Sequence, residues 1–396
     1  MTRLDRLIAE LCPDGVEFVP LGEICIRVSS GKNKQRGDSG QYRIYGSTGI
    51  IGYSDTFSYE HEAILVARVG ANCGYVHLAN GYYDVSDNTL IIEPNEHMYD
   101  LKFVYYQLTN MNLNQYAKGG GQPLITAGQL KAFEITLPPL PIQQEIVRIL
   151  DKFTELTTEL TTELTARKRQ YEYYRNELLT FGDDVPMVPI GNIYNSSSGL
   201  SKSANEFGFG SPFLSFKTVF NNLTIPDEIL DLANTTEKEQ HSHSILKGDV
   251  FITRTSETLD ELGMSCAALK DYPKATFSGF TKRLRPKNAA AIDPRYTAYF
   301  FRSALFRKQI SNMAVLSTRT SLNDSILLSI RIPLPPLDKQ TRIVAILDRF
   351  DALTNDITNG LPAEIEARRK QYEYYRDKLL TFPLRHCEER SDEAIQ

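Results

Sequence analysis

The sequence is short of the features that mark several large protein classes. No apolar run approaches the roughly 18 residues of a membrane-spanning helix, although 41% of the chain is hydrophobic. The five cysteines (Cys12, Cys25, Cys73, Cys266 and Cys387) are odd in number, scattered, and form no CxxC pair. That argues against a disulfide framework and for reduced thiols, so a cytoplasmic setting is expected. His241 and His243 are neighbours, but no further His or Cys completes a metal site, and they read as exposed loop residues. There is no GxxxxGK[ST] phosphate loop, no GxSxG, no HExxH, and no Asn/Asp-Pro-Pro-Tyr/Phe tetrapeptide to hold a flipped base for amino-methylation. The Gly208 and Gly210 stretch EFGFG lacks a strand before it and a helix after it, and reads as a surface loop. An enzyme reading therefore has no constellation to rest on.

Excess positive charge is also missing. The net charge is −5, whereas a free-standing nucleic-acid binder is usually basic. Contact with DNA would have to run through local basic patches on an acidic body. The N-terminal MTRLDRLIAELCPDG carries charges among its apolar positions and reads as a short amphipathic helix, not a signal peptide.

What the sequence has is a repeat. Residues 166–175 read ARKRQYEYYR and residues 367–376 read ARRKQYEYYR, each running on into a leucine pair. The match extends upstream: LPPL at 137–140 returns at 334–337, and the same spacing carries Gln143 to Gln340, the Ile149-Leu150-Asp151 triplet to Ile346-Leu347-Asp348, and Phe153 to Phe350. The second copy is four residues longer in mid-segment. The chain is thus a duplication, to be settled before the fold.

Each copy predicts a long helix starting just after the prolines, which cannot sit in a helix interior. In the first copy Ile142, Ile146, Ile149, Phe153, Leu156, Leu160 and Leu164 recur at steps of three or four, resumed by Tyr171, Tyr174 and Leu178, as in a coiled-coil seam. Residues 142–180 would span about 58 Å. The second copy offers Ile343, Ile346, Phe350, Leu353, Ile357, Leu361, Ile365, Tyr372, Tyr375 and Leu379, with Asn359-Gly360-Leu361-Pro362 predicting a break. Residues 154–165 of the first copy are TELT three times over. A tetrapeptide is slightly more than one turn, so adding or losing one changes helix length by about 6 Å without turning the seam far.

Two globular stretches lie beside these helices. Val19-Pro20-Leu21-Gly22 opens one and Val188-Pro189-Ile190-Gly191 the other, and strand-like EITL (134–137) and RIPL (331–334) close them. Short β-branched runs at 63–69, 89–92 and 249–253 and one apolar helix late in each (101–108 and 296–306) predict an α+β fold. The expected organisation is residues 1–141 and 183–336 as two similar mixed α/β domains, 142–182 and 337–382 as two long antiparallel coiled-coil helices between them in a pseudo-two-fold repeat, and 383–396 as a disordered tail with four acids and two bases.

Polar, planar and basic groups on loops make a binding reading possible. The first globule offers Lys32, Lys34 and Arg36, then Arg43 and Ser47, Arg68 at a strand end with Asn72 after it, and Lys118 with Gln122. The second offers Lys202, Lys217, Arg254-Thr255-Ser256 at a strand end, Lys282 with Arg283 and Arg285, and Arg319-Thr320. Arg suits guanine, Asn or Gln adenine, and Lys, Ser and Thr phosphates. Any one of these is more often a solvated surface group, so the case rests on recurrence: Arg68 and Arg254 both end a β-run, and Gln122 and Arg319 both precede LPPL by about the same distance. On the helices, Arg167, Arg169, Tyr173 and Arg175, and their counterparts Arg368, Tyr374 and Arg376, are the types favoured at protein interfaces, with Tyr173 off the seam.

With LIAELCPDGVEFVPLGEI, YGSTGIIGY, LPPLPIQQEIVRILDKF, the TELT tandem and the doubled tyrosine block in view, the chain resembles the specificity subunit of a type I restriction–modification system over nearly its whole length. The resemblance implies a non-catalytic DNA-recognition subunit with one target recognition domain per half of a bipartite, asymmetric site and a helical ruler setting the unread spacer. It implies two modification subunits that methylate adenine with S-adenosylmethionine, two restriction subunits that use ATP and Mg, and no cofactor in this chain. A two-module scaffold for protein or glycan partners is the rival from another class. A single-chain restriction–modification enzyme would need the absent methylation motif.

Overall fold

The segments that open and close each globule pair with each other. In the computed structural model, Phe18–Pro20 runs antiparallel to Glu134–Thr136 with Val19 opposite Ile135, and Met187–Pro189 runs antiparallel to Arg331–Pro333 with Val188 opposite Ile332. The structure describes residues 2–382 apart from 35–36, 96–98, 120, 257, 259–260, 314–319 and 357. The expected disordered tail lies outside the described residues. The chain divides into two units, residues 1–160 with 365–396 and residues 161–364, so the first long helix is shared out within its TELT tract.

In the first unit a four-stranded antiparallel sheet runs in the order Cys25–Ser30, Thr89–Pro94, Ala63–Ala67, Val76–Ala79. A three-stranded sheet pairs Tyr42–Gly46 with Gly49–Ser54 as a hairpin and with Tyr83–Val85 in parallel. The YGSTGIIGY segment is that hairpin. The AILVA strand is fully buried because both its faces are covered. Ile64 and Val66 pack with Val104 and Leu108 of the helix Leu101–Asn110, while Ala63 and Leu65 pack with Tyr45, Tyr83 and Val85 of the smaller sheet. Each such aliphatic side chain contributes roughly 1.5–3 kcal/mol by leaving water.

The second unit repeats this topology strand for strand, although the sequences of the globule interiors have diverged. Its larger sheet runs Tyr194–Ser198, Thr281–Pro286, Val250–Thr253, Ser265–Ala267, and its smaller one Leu232–Ala233, Phe207–Leu214, Thr276–Phe277. Val250 and Ile252 face the helix Pro294–Phe301, and Phe251 faces the smaller sheet. The EFGFG stretch expected as a loop runs into the middle strand of the smaller sheet and bulges there, with Gly208 and Gly210 at φ +93° and +98°. Gly31 and Gly199 hold matching close approaches. A Cβ on Gly31 would stand 2.3 and 2.4 Å from the carbonyl oxygens of Ser86 and Val85, and one on Gly199 2.3 and 2.4 Å from those of Ser278 and Phe277.

The first long helix runs Leu140–Leu178. Pro141 sits in its first turn, where a missing N–H is tolerated, so the helix begins earlier than the proline argument allowed. Its buried edge near the start is Ile142, Ile146 and Leu150, with Ile149 only partly covered. The helix there meets its own globule (Phe103, Tyr106) and the N-terminal helix Arg3–Leu11 as well as Leu380 of the second copy. Phe153 then stacks on Tyr375 at 5.5 Å. The second copy breaks as expected, into Leu337–Asn355 and Leu361–Leu380. Asp356 accepts from the N–H groups of Thr358 and Asn359 at 2.7 and 3.1 Å. Here too the expected seam is shifted. Ile343, Val344 and Leu347 are buried while Ile346 is 41% exposed, because this stretch faces Tyr299 and Phe300 of its globule. Ile357 lies outside the described residues.

Candidate nucleic-acid interface

One end of each larger sheet gathers several of the candidate groups. In the first unit Arg68 follows the strand Ala63–Ala67 and donates from Nη1 to Ser30 Oγ at 3.1 Å. Its carbonyl accepts from Ile125 N–H at 2.9 Å, and Gly70 N–H donates to Pro123 O at 3.1 Å. Lys118 and Leu124 exchange backbone hydrogen bonds at 3.0 and 2.9 Å. These bonds hold Lys118 and the Pro123–Ile125 segment beside Arg68, so the structure brings together two groups that the sequence named separately. Lys118, Gln122 and Asn72 are exposed. Lys32 and Lys34 are exposed on either side of Asn33, which is anchored by its amide to Asp84 Oδ2 at 2.5 Å and by its N–H to Val85 O at 3.0 Å. Sequence reasoning missed Asn33 and Asp84, whose pairing spans 51 residues. Arg43 is exposed on the smaller sheet and Ser47 is half-buried at its hairpin tip. Arg36 lies outside the described residues.

In the second unit Arg254 follows Val250–Thr253, and its carbonyl accepts from Leu322 N–H at 2.8 Å, the counterpart of the Arg68–Ile125 bond. Thr255 and Ser256 pair with Ser321 and Thr320. Arg319 lies outside the described residues. Lys217 is exposed on the helix Phe216–Asn221.

Three expectations for this unit need correction. Lys202 is not a free loop cation. Its ammonium pairs with Glu206 at 3.3 Å and Glu239 at 2.8 Å, and Lys202 foremost holds the Glu239 carboxyl at about 2. Lys282 is buried and donates to Ser198 Oγ and Asp324 Oδ2, both at 2.8 Å. Arg283 and Arg285 both donate to Ser244 O, and Arg285 also pairs with Asp249 at 2.6 Å. His241 lies in the last turn of the short helix Glu237–Ser242, so it is not a loop residue, and His243 follows as the C-cap. Among the described residues no His, Cys, Asp and Glu cluster could hold a metal ion.

The doubled tyrosine block divides the same way in both copies. Tyr171 is buried and stacks on Phe350 at 6.2 Å, with Tyr174 on the same ring at 5.4 Å. Tyr173 and Tyr374 are each 62% exposed. Arg175 and Arg376 lie over the rings of Tyr171 and Tyr372 at 5.3 and 5.8 Å. Arg167 and Arg368 bond Gln170 and Gln371, one turn on, and Arg169 is exposed.

A sequence model described as the type I restriction modification DNA specificity domain matches residues 13–167 and again residues 182–367. The chain belongs to the family of type I restriction–modification specificity subunits. It is 30% identical over 390 residues to a protein of Haemophilus influenzae named as a type I restriction enzyme specificity subunit, covering 93% of this chain and 96% of that one. It is 38% identical over 296 residues to the EcoR124I/EcoR124II specificity subunit of Escherichia coli, covering 72% and 71%. The fold agrees with that of the M. genitalium type I S subunit at a TM-score of 0.55 and 16% identity, over 92% of this specificity subunit and 95% of that chain. A chain from a structure of type I restriction–modification complex assembly matches at 0.56 and 17%, over 93% and 98%. Among the described residues no helix is long and apolar enough to cross a membrane.

Proposed function

We propose that this specificity subunit reads a bipartite, asymmetric DNA site, one globule per half-site, and carries no catalysis itself. It docks two modification and two restriction subunits in the cytoplasm. S-adenosylmethionine, ATP and Mg belong to those partners. The observation that carries the reading is the pair Arg68 and Arg254, which end equivalent strands of equivalent sheets and are held by equivalent backbone bonds. A duplicated scaffold with a guanidinium at the same place in each copy suits two short half-sites. Lys32, Lys34, Arg43, Ser47, Asn72, Lys118 and Gln122 would serve the first half-site, and Lys217, Thr255, Ser256 and Thr320 the second. Arg167, Arg169, Tyr173 and Arg175, with Arg368, Tyr374 and Arg376, would meet partner subunits. Lys202 and Lys282 drop out because carboxylates already neutralise them.

The test is methylome sequencing of cells expressing the subunit with its partner subunits. Two short half-sites with an unread gap are expected, and Arg254→Ala should alter one half alone. Methylation without sequence preference, or an Arg254→Ala effect spread over both halves, would overturn the reading.

A further inference from the structure

The two globules place different chemistry at the same end of the same sheet. Strand pairing sets the correspondence. Ser30 lies opposite Leu90 in one, and Ser198 opposite Lys282 in the other. Val28 lies opposite Ile92, and Ser196 opposite Leu284. The short helices that close this end, Ala127–Lys131 and Asp324–Ser329, follow the caps Thr126 and Asn323. Asp324 therefore stands where the first globule has Ala127.

In the first globule Ser30 is taken by Arg68, beside the apolar Val28 and Leu90. In the second, Ser198 is taken by Lys282, which also donates to Asp324 Oδ2 at 2.8 Å, while Ser196 donates to Asp324 Oδ1 at 2.7 Å. The lysine side chain is 7% exposed and the aspartate 53%, so one end of the pair is sealed and the other meets water. A carboxylate can accept about four hydrogen bonds, and among the described residues two donors reach it, Ser196 and Lys282. Burial raises the Asp324 pKa, but the bonds from Lys282 and Ser196 and the charge of Arg254 outweigh it and hold the carboxyl below its ordinary range.

Asp324 is thus an ionised, partly exposed acceptor fixed by two donors beside Arg254. Its charge repels phosphates, and an acceptor is what reading an exocyclic amino group requires. We infer that Asp324 is a specificity-determining residue of the second globule, accepting a hydrogen bond from the amino group of a cytosine in its half-site. This rests on the DNA-recognition reading above. Lys282 and Ser196 are positioning residues that act through Asp324.

The experiment is methylome sequencing of the complete complex carrying Asp324→Asn or Asp324→Ala, with Arg254→Ala marking the half-site that belongs to the second globule. Asparagine keeps the shape and also suits adenine, and alanine is the residue of the first globule at this place. At one C·G pair of that half-site, D324A should lower the preference for cytosine about tenfold or more, and D324N should admit adenine. The other half-site should not change. Lys282→Met, which releases the anchor, should relax the same position, an outcome that loss of packing alone does not give. If D324A fails to assemble, the isosteric D324N decides. A second half-site without a C·G pair, or unchanged base preference in D324N, overturns the inference. A parent complex lacking any bipartite motif would instead strike the DNA-recognition reading itself.

Discussion

Asp348 accepts a hydrogen bond from Tyr299 at 2.7 Å, as Asp151 does from Tyr106 at 2.7 Å. The second oxygen of each aspartate is also matched, by Arg295 at 2.6 Å and Lys102 at 2.6 Å. Gln340 and Gln143 complete the joint, each accepting from the N–H of the helix cap, Asp293 or Asp100, at 2.9 Å. These bonds fix the late helix of each globule on the long helix after it, so a side chain at the sheet end keeps its place relative to the spacer. Asp348→Ala would leave the buried Tyr299 hydroxyl without its acceptor. Losing such a charged bond should destabilise the subunit by about 2 kcal/mol, read by denaturant unfolding of the assembled complex. Asp151→Ala should do the same, and wild-type stability in both would show the joint to be dispensable.

The close approaches at Gly31 and Gly199 make a second prediction. Here a methyl group meets two backbone carbonyl oxygens at the end of a strand of the smaller sheet, and backbone cannot swing aside as a flexible side chain can. Gly31→Ala and Gly199→Ala should each destabilise by about 3 kcal/mol or more, at the upper end of overpacking effects. The comparison is with Gly49→Ala, where no atom lies within 4 Å of the added carbon and the only strain is the positive φ. If all three variants melt alike, the close approach is not what glycine serves at 31 and 199.

Much of this scaffold was legible in the sequence, for identifiable reasons. The duplicated tyrosine block, the LPPL edges and the Asn359–Pro362 break are local signals, and the structure puts a helix, paired strands and a break at those places. The shared sheet topology was not legible, because the side chains that differ between globules (Val28 and Ser196, Leu90 and Lys282, Ala127 and Asp324) hide a backbone that does not. The helical seams were misplaced at Ile149 and Ile346, since periodicity marks a buried face without saying whether a helix or a globule covers it. Lys202 and Lys282 looked like surface cations because their shortest partners, Glu239 and Asp324, are far along the chain, although Glu206, the second partner of Lys202, is only four residues on.

Acid should weaken the first globule through His77. Its ring lies between Tyr45 and Tyr75, at centroid distances of 5.7 and 5.6 Å, with both nitrogens buried and without a hydrogen-bond partner among the described residues. Burial lowers its pKa from 6.5 to about 4. The unfolded chain therefore takes up a proton near pH 6.5 that the folded chain refuses until about pH 4. Stability is full above pH 6.5 and falls as pH drops through that window, by up to roughly 3 kcal/mol. His77→Phe keeps an aromatic ring between the tyrosines and should flatten that part of the profile. Denaturant melts at pH 7 and pH 4.5 would show it, and an equal loss in both proteins would clear His77.

Tyr173 and Tyr374 carry the docking prediction. Each is 62% exposed beside a tyrosine that stacks on a phenylalanine instead, Tyr174 on Phe350 and Tyr375 on Phe153, so truncation should leave the fold alone. Tyr173→Ala with Tyr374→Ala should raise the Kd for the modification subunit at least tenfold, as loss of aromatic anchors does. Tyr174→Ala, which removes the ring stacked on Phe350, should instead lower the melting temperature. Unchanged binding in the double variant, measured by titration calorimetry, would move the dock elsewhere.

The TELT tract makes the remaining prediction. Its threonines spend their hydroxyls on the helix itself: Thr154 on Leu150 O, Thr157 on Phe153 O, Thr158 on Thr154 O and Thr165 on Thr161 O, at 2.8 to 3.1 Å. Leu156, Leu160 and Leu164 are only half-buried. The aromatic stacks that lock the helix, Phe153 on Tyr375 and Tyr174 on Phe350, lie outside the tract. One unit can therefore leave without opening a core. Its loss shortens the helix by about 6 Å and turns the C-terminal part of the helix by about 40°, a rotation that half-buried leucines can absorb. If the helix measures the unread gap, deleting one TELT should shorten it by one or two base pairs, at about 3.4 Å each, with both half-sites unchanged. Methylome sequencing reads this directly. A gap of unchanged length, or a shift in either half-site, would mean that the helix holds the globules without measuring the distance between their targets.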